Sequence, residues 1–161
     1  MFMHAGVRMG FVLAGCLVGG LVALQHAQAA TSRSGVISKF DGVDEIVFAC
    51  TNTMSYATVP QMTRTFTVSG SASPVVVTFS AAASLSAGAL DTGFVRLTID
   101  NAQQTPGEVP YISAGESNSA HAFTWQTKSL STGTHIARIQ WRTDLGSSFC
   151  LDARSLVVLH R

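Results

Sequence analysis

The stretch Thr134-His135-Ile136-Ala137-Arg138-Ile139-Gln140-Trp141-Arg142 decides how this chain folds. Its residues fall into two alternating sets, His135, Ala137, Ile139 and Trp141 against Ile136, Arg138, Gln140 and Arg142. A period of two sends successive side chains to opposite faces of a strand, whereas a helix would scatter both sets around its axis. The first set is therefore expected to face a core and the second to face solvent. The same rhythm recurs on both sides of this stretch. Val75, Val77, Phe79 and Ala81 share a face, as do Val95, Leu97 and Ile99, and so do His121, Phe123 and Trp125. Thr63, Thr65 and Thr67 line one side of residues 62–68. Shorter runs stand at 46–50, extending toward Val59, and at 109–112, 147–151 and 155–159. Pro60 is expected to interrupt pairing, and the breaker-rich residues 100–107 and 113–119 read as loops. The only helical rival is the Ala-rich segment 80–90. About eight short strands between Gly, Pro, Ser and Asn turns predict an all-β fold, an antiparallel β-sandwich of jelly-roll type. No period of 20–50 residues recurs, which excludes a repeat array.

The amino-terminal end has a different character. Arg8 precedes a fourteen-residue apolar run, 11–24, and Ala27-Gln28-Ala29-Ala30 follows with small side chains at the positions a signal peptidase reads. Residues 1–30 thus read as a secretory signal peptide with cleavage at Ala29 and Ala30. The run falls short of the about 20 apolar residues a membrane span requires. Leu13-Ala14-Gly15-Cys16 also resembles a lipobox, so lipidation of Cys16 is a second reading, the only one that would place the protein on a membrane. Residues 31–36 read as a flexible leader, and 37–161 as a single β-sandwich domain.

Export frames the other cysteines. With Cys16 in the signal, Cys50 and Cys150 remain as a pair in an oxidising compartment, secreted or periplasmic, and are expected to form a disulfide. Two buried thiols are the alternative, and neither cysteine has a partner at zinc-ligand spacing.

Charge narrows the partners. Charged residues make up 12% of the chain, about half the usual share of roughly 25%, and formal net charge is +1. No basic footprint exists to neutralise phosphates, which excludes nucleic acid. A weakly charged surface suits a glycan, a protein surface or self-association.

No catalytic motif stands out. His121, His135 and His160 are separated, and two of them share strand faces with apolar residues, where a hydrogen-bonded structural histidine is the ordinary outcome. Asp91, Asp100, Glu108, Glu116, Asp144 and Asp152 fall mainly at strand ends and in loops and read as solvated turn residues. No Asp-x-Asp spacing concentrates them; a structural Ca²⁺ stays open, and no other cofactor is expected. Trp125 and Trp141 alternate with apolar neighbours, which favours the core over a sugar-stacking platform. Tyr111, Arg138, Gln140 and Arg142 are the candidates for a ligand-binding face.

Leu130-Ser131-Thr132-Gly133-Thr134-His135 followed by the alternating strand to Trp141 resembles the late hairpin of carbohydrate-binding β-sandwich modules of exported bacterial proteins. The pattern is Leu-x-x-Gly-x-His, and residues 152–159 extend the likeness to about thirty residues. The resemblance implies a jelly-roll sandwich that binds rather than reacts. It assigns no ligand residues, because the loops that would hold ligand do not match. The first expectation is an exported non-enzymatic binding protein recognising a glycan or surface partner. A structural or assembly subunit of a surface appendage or coat is the second, and a secreted hydrolase the third.

Overall fold

A computed structural model describes residues 39–86 and 90–161. The readings for the signal peptide, its cleavage at Ala29 and Ala30, lipidation of Cys16 and the leader lie outside the described residues. The elements are β1 (Lys39–Glu45), β2 (Ala49–Thr51), β3 (Ala57–Val68), β4 (Val76–Leu85), β5 (Thr92–Ile99), β6 (Ala102–Ser113), β7 (Ser119–Gln126), β8 (Gly133–Thr143) and β9 (Phe149–His160). All described pairings are antiparallel. One sheet runs β1-β9-β4-β7, with β2 also on β9; the other runs β3-β8-β5-β6. The partners nest as β2 with β9, β3 with β8, β4 with β7 and β5 with β6. Such nesting is a long hairpin rolled onto itself, which is the jelly roll.

Alternation builds this fold. In β4 every second residue from Val77 to Leu85 is buried, and in β8 the buried set is His135, Ala137, Ile139, Trp141 and Thr143. The two inward faces meet in a core whose bulk comes from Trp125, Phe79, Phe149, Leu97, Ile139 and Leu156. Aromatic rings span the sheets, with Trp141 and Phe149 at 5.5 Å and Phe79 and Tyr111 at 5.4 Å between centroids. Gly93 is needed where the sheets approach closely: an added Cβ would lie 2.7 Å from Ile112 Cγ2 and 2.9 Å from the Phe149 ring.

Cys50 and Cys150 are bonded and stand directly opposite each other in the β2–β9 register, with Cα atoms 4.0 Å apart. The bond ties an early edge strand to a late inner one.

Several boundaries differ from expectation, each for a local reason. Nine strands are described rather than about eight, because the first jelly-roll strand is split into β1 and β2. Residues 46–48, read as strand, leave the ladder between them, and Ile46, Val47 and Phe48 are exposed. Pro60 does not end a strand. The β3–β8 register shifts between Thr58 and Thr63, and Gln61 takes φ 64° in a bulge that lets β3 pass through. Residues 102–107 are strand rather than loop, because Asp100 and Asn101 at φ 51° and 70° make a tight two-residue turn into β6. The 147–151 and 155–159 runs are one strand, β9, carrying an irregularity near Ala153 at φ 42°. The segment 80–90 is extended through Leu85.

Candidate functional site

The outer face of the β3-β8-β5-β6 sheet carries a cluster of long polar side chains. Strand register orders them into rows. Arg142 stands opposite Phe94, which stands opposite Pro110. The next row is Thr58, Gln140, Arg96 and Glu108, and the third is Thr63, Arg138, Thr98 and Gln103. Three of the four sequence candidates, Arg138, Gln140 and Arg142, therefore follow one another along the outer face of β8, each half-buried. Tyr111 does not join them. It is 4% exposed, packs on Phe79 and His121, and donates its hydroxyl to the His121 carbonyl at 2.8 Å. Residue 111 falls in the inward set of β6, which a strand beginning at 109 left without a partner strand to define.

The rows are fixed by hydrogen bonds between neighbours. Arg96 donates through Nε to Gln140 Oε1 at 2.8 Å and through Nη1 to Gln103 Oε1 at 2.9 Å. Its guanidinium lies 3.6 Å from the centre of the Tyr56 ring, in cation–π contact. Arg142 forks onto Glu108, with both bonds at 3.2 Å, reaches Asp144 at 3.1 Å, and lies 4.4 Å from the Phe94 ring centre. Tyr56 donates its hydroxyl to Glu108. Arg138 donates to Asn101 Oδ1 at 3.1 Å.

Electrostatics follow from these contacts. The Arg142 bond, then that of Tyr56, holds the Glu108 carboxyl below its ordinary range despite some burial. Glu108 in turn raises Arg142. Burial, then the bond to Glu108, pushes Tyr56 up to about 12. Arg142 is thus balanced by Glu108 and Asp144, whereas Arg96 and Arg138 are held by neutral amides and keep their charge, and the face offers oriented donors and acceptors.

Other sequence candidates have structural roles. His135 is buried, with Nδ1 2.7 Å from Asp100 Oδ2 and Nε2 2.9 Å from the Ser131 carbonyl. Both neighbours accept, so both ring nitrogens donate, and the Asp100 bond raises the pKa against burial. His160 is buried against Phe66, and His121 reaches Glu116 at 3.3 Å. Among the described residues no three His, Cys, Asp or Glu converge to hold a metal. Trp125 and Trp141 are buried and cannot offer a platform.

Asp91, read as a solvated turn residue, is instead 2% exposed. Its carboxylate accepts backbone N–H groups of Thr92 (2.7 Å), Asp144 (2.9 Å), Leu145 (2.8 Å) and Ser147 (2.7 Å). It folds the β8–β9 loop at the end of the sheet where Arg142 stands.

Sequence reasoning missed Tyr56, Phe94, Arg96, Gln103 and Glu108. Arg96 carried a usable signal: it alternates with Val95 and Leu97 just as Arg138 alternates with Ala137 and Ile139. Gln103 was hidden in residues read as a loop, and Glu108 stood among the carboxylates read as solvated turn residues.

No protein-family model matches the chain, and no curated protein matches it in sequence. Solved structures do. A chain described as the EclA C-terminal domain, a sugar-binding protein, is 12% identical, with a TM-score of 0.43 over 74% of this chain and 79% of that one. A cycloisomaltooligosaccharide glucanotransferase from Paenibacillus sp. is 22% identical with a TM-score of 0.37 over 72% of this chain. Dimeric latent PorU from Porphyromonas gingivalis is 16% identical with a TM-score of 0.39 over 74% of this chain. The match spans 18% of the glucanotransferase and 13% of PorU.

Proposed function

We propose that this domain is an exported, non-enzymatic binding module for a neutral glycan, held on the outer face of the β3-β8-β5-β6 sheet. The observation that carries the reading is the interlocked row of Gln140, Arg96 and Glu108 beneath Tyr56, with Gln103 and Arg142 bonded into it. A sugar presents vicinal hydroxyls that both donate and accept, and planar amides, guanidinium and carboxylate groups match them in pairs. Side chains already fixed by one another lose less freedom when a ligand arrives. Three arginines against two carboxylates leave a net charge of only about +1 on this face, which suits a neutral polyhydroxyl ligand.

The same contacts argue for binding over hydrolysis. A glycosidase needs one carboxyl kept protonated near neutral pH as a general acid. Glu108, the carboxylate of the central row, is shifted the opposite way by Arg142 and Tyr56.

The test is a panel of neutral and acidic oligosaccharides read by isothermal titration calorimetry. Neutral-glycan binding should weaken about 10- to 100-fold in Arg96→Ala and Gln140→Ala, the usual scale for hydrogen bonds to charged or paired groups. Binding that is indifferent to both substitutions, or restricted to acidic glycans, would overturn the assignment.

A further inference from the structure

Among the described residues the sandwich has four sheet edges, and three are guarded. The β3 edge carries Pro60 and the Gln61 bulge. The β6 edge carries Pro106, Pro110 and Glu108. The β1–β2 edge has Asp44 and Glu45, and is broken at 46–48. Proline, charge and interruption are the devices that stop strands from pairing with other chains. The fourth edge, β7, reads Ser119-Ala120-His121-Ala122-Phe123-Thr124-Trp125-Gln126 and has no proline, glycine, lysine, arginine or carboxylate. It pairs with β4 over eight consecutive residues without a register shift. Beside it on the outer face of its sheet, Thr78, Ser80 and Ala82 of β4 are also small and uncharged.

We infer that the β7 edge pairs antiparallel with β7 of a second copy, joining two sandwiches through one continuous sheet. The occupant follows from complementarity. An uncharged edge meets its own copy without like-charge contact, and two-fold symmetry requires the same patch on both sides. The register can also be derived. Thr127 N donates to the Val75 carbonyl at 2.9 Å at one end of the β4–β7 pair, and Leu85 N donates to the Glu116 carbonyl at 3.4 Å just beyond the other. Odd-numbered residues of β4 therefore direct their backbone bonds at β7, and odd-numbered residues of β7 return them. In an antiparallel ladder the alternate residues point the other way. Ala120, Ala122, Thr124 and Gln126 thus aim their N–H and C=O groups at the open edge.

Full use of those groups fixes one alignment: Ala120 opposite Gln126 of the copy, Ala122 opposite Thr124, and Phe123 opposite Phe123 on the axis. The Phe123 pair occupies a site without mutual hydrogen bonds, where Cα atoms approach to about 4.5 Å. Phe123 is half-buried and packs edge-on against Trp125 at 4.7 Å, so its ring borders the core that the copy would extend. The axis stands normal to the joined sheet, so both β3-β8-β5-β6 sheets lie on the same side of it. If the glycan reading holds, two binding faces look the same way and a repeating polymer engages both; the pairing itself does not rest on that reading.

The experiment is analytical ultracentrifugation of the full chain up to about 1 mM, the weak end of specific association, beside mild oxidation of Phe123→Cys. Expected results are a two-fold rise in mass with concentration and a covalent dimer whose peptide map shows a 123–123 bond. Thr63→Cys, on the guarded β3 edge, should give no such bond. Ala122→Lys, at an exposed position, should remain folded by circular dichroism and sediment at half the mass. A wild-type chain that stays monomeric throughout, or a dimer unaffected by Ala122→Lys, overturns the proposal. So does cross-linking at 63 equal to that at 123. Glycan titration on Ala122→Lys separates the two readings: intact single-site binding by a monomer supports the face while removing the pairing.

Discussion

Replacing Asp91 by Asn takes one charge from a carboxylate that is 2% exposed and accepts four backbone N–H groups. Burial alone would raise its pKa, but the N–H groups of Ser147, Leu145 and Thr92 outweigh it and hold the carboxyl at about 2, against 3.8 for a free side chain. At 1.36 kcal/mol per tenfold, that difference corresponds to roughly 2.5 kcal/mol of folding stability. The sign is that of a depressed acid. The contribution is fully present above the unfolded value near 4 and is lost as pH falls toward 2. Asp91→Asn keeps the shape and loses the charge, and its amide faces the Ser147 N–H donor to donor. Urea titrations at pH 7 should therefore show a loss of about 2–3 kcal/mol, or a Tm lower by roughly 10 °C in a domain of this size. The gap should narrow steadily between pH 4 and pH 2. A gap that stays constant across that range, or one below about 0.5 kcal/mol at pH 7, would refute the reasoning.

Reduction of Cys50–Cys150, which closes a span of 100 residues, should lower stability by up to about 4–5 kcal/mol, read by denaturant titration with and without reductant. Gly93→Ala should cost about 1–3 kcal/mol through overpacking against Ile112 and Phe149, measured by thermal melting. His135 has its pKa raised first by the Asp100 bond. Its stabilising effect should be complete below about pH 6.5 and fade as pH rises through the folded value, a slope that His135→Gln abolishes in melts from pH 5 to 9.

Strand identity was legible wherever one face is buried, because a single slip in the period would turn Ile139 or Val77 to water. The inward sets of β4, β5, β7 and β8 follow the sequence residue by residue. Boundaries were not legible where backbone geometry overrides composition. The Gln61 bulge carries β3 past a proline, and the Asp100–Asn101 turn starts β6 inside a polar run. For the candidate face, alternation on one strand found Arg138, Gln140 and Arg142. The partners Arg96, Gln103, Glu108 and Tyr56 come from other parts of the chain, and only register brings them together. Asp91 was misread because nothing local marks a carboxylate whose donors lie more than fifty residues away.

The β2–β9 cystine also governs how the domain answers mechanical tension. Lys39 and His160 are register partners, so a pull applied through the two ends of the domain unzips β1 from β9 one rung at a time. That tearing halts at Cys50 and Cys150, because tension then passes through sulfur and bypasses the hundred residues between them. Because β4 holds β9 on its other side, β1 is the strand that peels and residues 39–49 extend, about 11 positions and roughly 40 Å of contour at ~3.5 Å each. A tethered molecule stretched in flow would lengthen by that increment and keep the rest of the sandwich, including the Arg96 face, unstrained.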